Sequence, residues 1–172
     1  MQFRNQSETG YKVNERLTTV SLEAHFRYKD EKALFAVKSF LTSNMTMLNT
    51  LGGYGIYSAD ATTGEQKYAP LRISHSWVNF AYGKQWRFNF LGGYVKNLGT
   101  VKQVTSLVGT GTNIDQLFST VFGFSYSLPH FKFGAEYNWT TAWYGTPGVK
   151  ARVKQTHGVS NHRLMLTTQY IF

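Results

Sequence analysis

The sequence predicts an all-β chain of antiparallel, up-and-down strands. Seven segments alternate apolar and polar residues with period two, few show a helical stripe, and the connections alternate between short and long. The 172 residues allow one domain of ordinary size. Zero cysteine rules out a disulfide scaffold, a thiolate zinc site and thiol catalysis. Glycine is common and proline scarce (16 against 3), and aromatics reach 16%, which argues against a disordered basic tail. No apolar run exceeds five residues, the length of Ala33 to Val37, so no transmembrane helix is expected. Barrel strands alternate rather than run, and they remain possible.

The clearest segment, Arg16 to Tyr28, sets Val20, Leu22, Ala24, Phe26 and Tyr28 against Ser21, Glu23, His25 and Arg27. Only a strand separates those two sets, because successive side chains point to opposite faces. Ala33 to Thr42 puts Phe35, Val37 and Leu41 opposite Lys38, and Ile73 to Tyr82 puts Val78, Phe80 and Tyr82 opposite His75, Trp77 and Asn79. The segment from Trp86 sets Phe88, Phe90 and Tyr94 against Arg87 and Asn89. Phe118 to Leu128 sets Phe122, Phe124 and Tyr126 against Ser119, Gly123 and Ser125. Phe131 to Trp143 alternates with Lys132, Gly134, Glu136 and Asn138, and Arg163 to Phe172 places Leu164, Leu166 and Tyr170 opposite Arg163, Thr167 and Gln169.

Lys29 to Lys32, Gly83 to Gln85 and Leu128 to His130 read as tight turns; 43–72, 97–113 and 145–161 read as long loops. Short turns at one end and long loops at the other are the rhythm of an outer-membrane barrel. A soluble barrel or sandwich would bury the apolar face instead. Three details favour the outward arrangement. Tyr28, Tyr82, Trp86, Phe131, Tyr170 and Phe172 gather at the short-turn end, and Tyr94, Phe118 and Trp143 near the loop end. From Phe118 to Leu128 a strand rises about 33 Å, which a tilt near 45° converts to roughly 23 Å, close to a barrel's apolar band. The other face is small and polar with scattered charges, and the sequence ends on an aromatic belt.

The ending Leu164-Met165-Leu166-Thr167-Thr168-Gln169-Tyr170-Ile171-Phe172 resembles the C-terminal signal of Gram-negative outer-membrane barrels. That resemblance implies the barrel-assembly machinery as a partner, with Leu166, Tyr170 and Phe172 as the signal. The stretch Gly109 to Phe118 is similar to a loop-to-strand junction of porin-like proteins from the Bacteroidota, as is Asn161-His162-Arg163. The wider resemblance implies the C-terminal part of a barrel of about sixteen strands and roughly 400 residues, with trimerisation expected at family level. Seven strands is an odd count where bacterial single-chain barrels have even ones from eight upward, which agrees with further strands upstream. Residues 1–15 read as a loop remnant of a single barrel segment spanning 1–172.

Enzymatic signatures are weak. Neither a Gly-x-Ser-x-Gly elbow nor a His-Glu-x-x-His motif occurs, and His25, His75, His130, His157 and His162 have no metal-ligand spacing. The glycines of 109–111 lack a following Gly-Lys-Ser/Thr. No enzyme activity, metal or cofactor is expected. The net charge of +9 would suit nucleic acid, but a stacking platform needs aromatics and cations on one face, and here they separate. The polar face is expected to carry Arg27, Lys38, Arg87, Lys96, Lys132 and Arg163 against Glu23 and Glu136. Lining a channel, they would give a positive field and modest anion preference. The expected function is passive diffusion of small polar solutes across the outer membrane, through a lumen narrowed by an inward-folded segment from Ser43 to Arg72. Membrane lipid and lipopolysaccharide are the expected surroundings. The alternatives are a small or multi-chain outer-membrane barrel with a structural or adhesive role, and a soluble ligand-binding barrel.

Overall fold

A computed structural model describes residues 2–7, 10–44 and 50–172. The parts of 1–15 and 43–72 that fall at 1, 8–9 and 45–49 lie outside the described residues. In chain order the strands are β1 (Gln2–Gln6), β2 (Lys12–Arg16), β3 (Leu22–Lys29), β4 (Ala33–Ser43), β5 (Gly52–Ala59) and β6 (Gln66–Pro70). They continue as β7 (Arg72–Tyr82), β8 (Trp86–Gly99), β9 (Ser106–Thr110), β10 (Ile114–Ser127), β11 (Phe131–Pro147) and β12 (Val153–Tyr170). The chain is all-β, and every pairing is antiparallel.

The seven alternating segments form one meander in the order β12-β11-β10-β8-β7-β4-β3. Register aligns their apolar residues into rows. One row crosses all seven strands through Tyr28, Phe35, Phe80, Phe90, Phe122, Tyr137 and Leu164. A second links Tyr82, Phe88, Phe124, Ala135 and Leu166. Within them Phe90 meets Phe122 and Phe88 meets Phe124, each with ring centroids 5.2 Å apart. Such cross-strand contacts contribute about 0.2–1 kcal/mol each and fix the register, since a one-residue slip would turn each row to the other face. Among the described residues the sheet does not close, and β3 and β12 are its edges.

The three tight turns stand where the sequence places them. Asp30 caps the first: its Oδ1 accepts the N–H groups of Lys32 and Ala33, both at 2.7 Å. Gly83 holds a φ of 110°, and a Cβ there would lie 1.9 Å from the Trp86 carbonyl oxygen, so the second turn admits only glycine. Backbone bonds join neighbouring turns: Gly83 donates to Lys32, Ser127 to Gln85 and Ile171 to His130.

The expected long loops are corrected at three places. Residues 145–161 are mostly strand: β11 and β12 stay paired out to Pro147 and Val153, leaving only 148–152 as the turn. Residues 43–72 and 97–113 hold β5, β6 and β9, which form a three-stranded sheet in the order β6-β5-β9. Residues 1–15 are not a bare remnant, because β1 pairs with β2. Glu15 of β2 is buried and joins that hairpin to β6, accepting the Gln66 N–H at 2.8 Å and the Tyr68 hydroxyl.

Candidate functional site

Alternation divides the main sheet into an aromatic face and a polar face. The aromatic face is widely open: Phe88 is 59% exposed, Phe122 52%, Leu164 71% and Leu166 76%. Six strand spacings of about 4.8 Å and the eight-residue rise from Trp86 to Tyr94 make a patch of roughly 29 by 26 Å. That exceeds the roughly 300–600 Å² of the largest apolar patch on a typical soluble monomer. At the turn end Trp86 packs on Tyr126 at 4.2 Å and Phe131 on Tyr170 at 5.1 Å. Toward the loop end Phe118 meets Trp139 edge-on at 6.1 Å, and the Tyr94 hydroxyl donates to Gln116 Oε1 at 2.8 Å.

The polar face brings together seven of the eight charged residues expected there. Lys38 reaches across to Glu23 at 2.8 Å, and Arg163 to Glu136 at 3.6 Å. Arg87 donates through Nη1 to the Gly83 carbonyl at 3.1 Å, while Arg27 and Lys132 extend into solvent. Lys29, opposite Leu34 at the turn end, shares this face, although its place beside a turn hid it from a strand reading. The eighth residue, Lys96, is a correction. It lies two residues beyond Tyr94 on the aromatic face, and a register shift between Ile114 and Gln116 turns Asp115 to meet it at 2.6 Å. Both side chains of this pair are partly buried, and each charge offsets the other's loss of water. The polar face thus carries six cations (Arg27, Lys29, Lys38, Arg87, Lys132 and Arg163) and two carboxylates.

At the loop end this face stops being polar. Leu51 folds onto Ile73, Val95, Ile114 and Ala142, and Leu117 and Tyr144 pack around them. Sequence reasoning missed this cluster because its members belong to four strands and a loop, none with a strong signal alone. Asn97 fastens the rim above it: buried, it donates to the carbonyls of Ile114 (3.3 Å) and Ala151 (3.2 Å) and accepts the Gly99 N–H at 2.7 Å.

Each histidine stands against an aromatic ring: His25 by Trp77, His75 by Phe40, His130 by Tyr170, His157 by Tyr144 and His162 by Tyr137. Among the described residues no cluster of three or more His, Asp or Glu forms. Of the residues in the terminal signal pattern, Leu166 pairs with Ala135 and Tyr170 with Phe131, and the Phe172 ring lies 6.2 Å from that of Tyr170. No protein-family model, curated protein or solved structure matches this chain.

Proposed function

We propose that the chain supplies seven strands of an outer-membrane β-barrel that acts as a porin-like channel for passive diffusion of small polar solutes. The observation that carries this reading is the apolar row crossing all seven strands on a largely exposed face, with the charges on the opposite one. Water would leave that row without the roughly 1.5–3 kcal/mol that each buried large side chain contributes, whereas lipid supplies an apolar surrounding. The polar face then lines an aqueous lumen, and its excess of cations gives a modest anion preference. Leu51, folded onto that face, narrows the passage as an inward-folded segment would.

In this reading lipopolysaccharide surrounds the loop end, the barrel-assembly machinery inserts the protein through Leu166, Tyr170 and Phe172, and three copies associate. The sheet formed by β5, β6 and β9 favours a second reading, a capped barrel with a structural or adhesive role. Reconstitution of the full-length protein in planar bilayers separates the two. Stepwise KCl conductance with anions favoured supports the channel; insertion without conductance supports the capped barrel. A protein that folds in buffer without detergent or lipid sinks both and points to a soluble ligand-binding barrel.

A further inference from the structure

The polar face holds a cavity of about 860 Å³ at its loop end, within the size range of small-molecule pockets. Its wall is formed by β7, β8 and β10, and Leu51 and Gly111 close over it. Leu91, Val95 and Leu117 replace the charges found lower on the same face, and Trp77 stands among them.

Gly93 lies in the middle of this wall, in register with Trp77 on one side and Ser119 on the other. It is outside the positive-φ residues, and a Cβ built on it would reach only the Ser119 carbonyl oxygen, at 4.0 Å. Neither backbone conformation nor crowding asks for glycine there, although a strand glycine forgoes about 0.5–1 kcal/mol relative to alanine. Its neighbour Gly92, on the aromatic face, does meet a ring, with Phe90 3.2 Å from the same added atom. What Gly93 provides is bare floor beside the Trp77 indole, as where a ligand must approach a strand closely. Lys38, in register with Trp77, is held by Glu23 and does not line the cavity, so the slot suits a neutral ring better than an anion. Asn79 lines the cavity one row toward the turns and offers both a donor and an acceptor.

We infer that this cavity is a binding subsite for neutral planar aromatic solutes carrying one hydrogen-bonding group. The ring lies on Gly93 against Trp77, and the polar group reaches Asn79. The inference rests on the reading of this face as a barrel interior.

The test is equilibrium dialysis of 1-naphthol against the full-length protein in detergent, with KCl conductance recorded on the same preparations. Partition into micelles is common to all variants and cancels in the comparison. Gly93→Leu, which fills the floor, and Trp77→Leu, which removes the ring, are each expected to weaken binding about tenfold. Asn79→Ala should weaken 1-naphthol several-fold yet leave naphthalene unchanged, and it keeps the test open if Gly93→Leu fails to fold. Equal binding by all variants in a conducting protein overturns the subsite and leaves the channel standing. Variant-sensitive binding without conductance supports the subsite and overturns the channel.

Discussion

Asp30 and Asn97 secure opposite ends of the sheet, and each does so through hydrogen bonds to backbone groups. The Asp30 carboxylate is held below the ordinary carboxylate range, first by the N–H of Ala33, then by that of Lys32 and the Tyr28 hydroxyl. A carboxyl whose folded pKa is depressed contributes stability above its unfolded value, about 4, and loses it as the pH falls through the folded value. Asp30→Ala should therefore lower the urea midpoint of the folded protein at neutral pH, and the two midpoints should converge in acid. Asn97 is buried, and truncating it leaves the Ile114 and Ala151 carbonyls and the Gly99 N–H without their partner. Asn97→Ala should cost about 2–3 kcal/mol in the same titration. A loss confined to a few tenths would mean that water enters the rim and replaces those bonds.

At the scale of the strand, neighbours in sequence belong to different environments, and that makes the assignment of faces testable. Val121 and Phe122 are adjacent in β10 and point opposite ways. If the aromatic face meets lipid, Phe122→Arg places a charge in the apolar band and should destabilise the folded barrel by about 2–4 kcal/mol, whereas Val121→Arg enters the lumen and should cost much less. Measured by urea unfolding in lipid vesicles, the reverse order would mean that the aromatic face is the interior.

The seven long strands were legible because each carries a row that must sit on one face, and period two exposes that row. The rest was hidden for physical reasons. β5 and β9 face each other through Gly53 and Gly109, so close that an added Cβ on Gly53 would lie 2.8 Å from the Gly109 Cα, and glycines leave no alternation to read. The first ten residues of β12 continue past the apolar row, where neither face needs apolar side chains. Lys96 went astray because charge is a weak marker of a face once a strand has left the apolar band. The cavity wall around Gly93 was invisible because a missing side chain signals nothing until its neighbours are known.

For the whole molecule, the first constraint is its edges. β3 and β12 have no partner on their outer sides among the described residues, and lipid offers no water to their N–H and C=O groups. A barrel in the membrane therefore needs these edges paired, with each other, with further strands or with another copy. The second constraint is charge. Lys38 and Arg163 are met by carboxylates, so the field of the proposed lumen would rest mainly on Arg27, Lys29, Arg87 and Lys132. Arg27 and Lys132 are both exposed on the polar face, one on the edge strand β3 and the other on β11 beside the opposite edge, so changing them together reverses charge at separate points of the proposed wall. The double variant Arg27→Glu with Lys132→Glu should lower the chloride-to-potassium permeability ratio roughly twofold or more, read from the reversal potential across a KCl gradient. Lys96→Gln removes a cation from the aromatic face and should leave that ratio unchanged. Equal shifts from both changes would mean that solutes pass along the aromatic face, and the proposed inside and outside of the barrel would have to be exchanged.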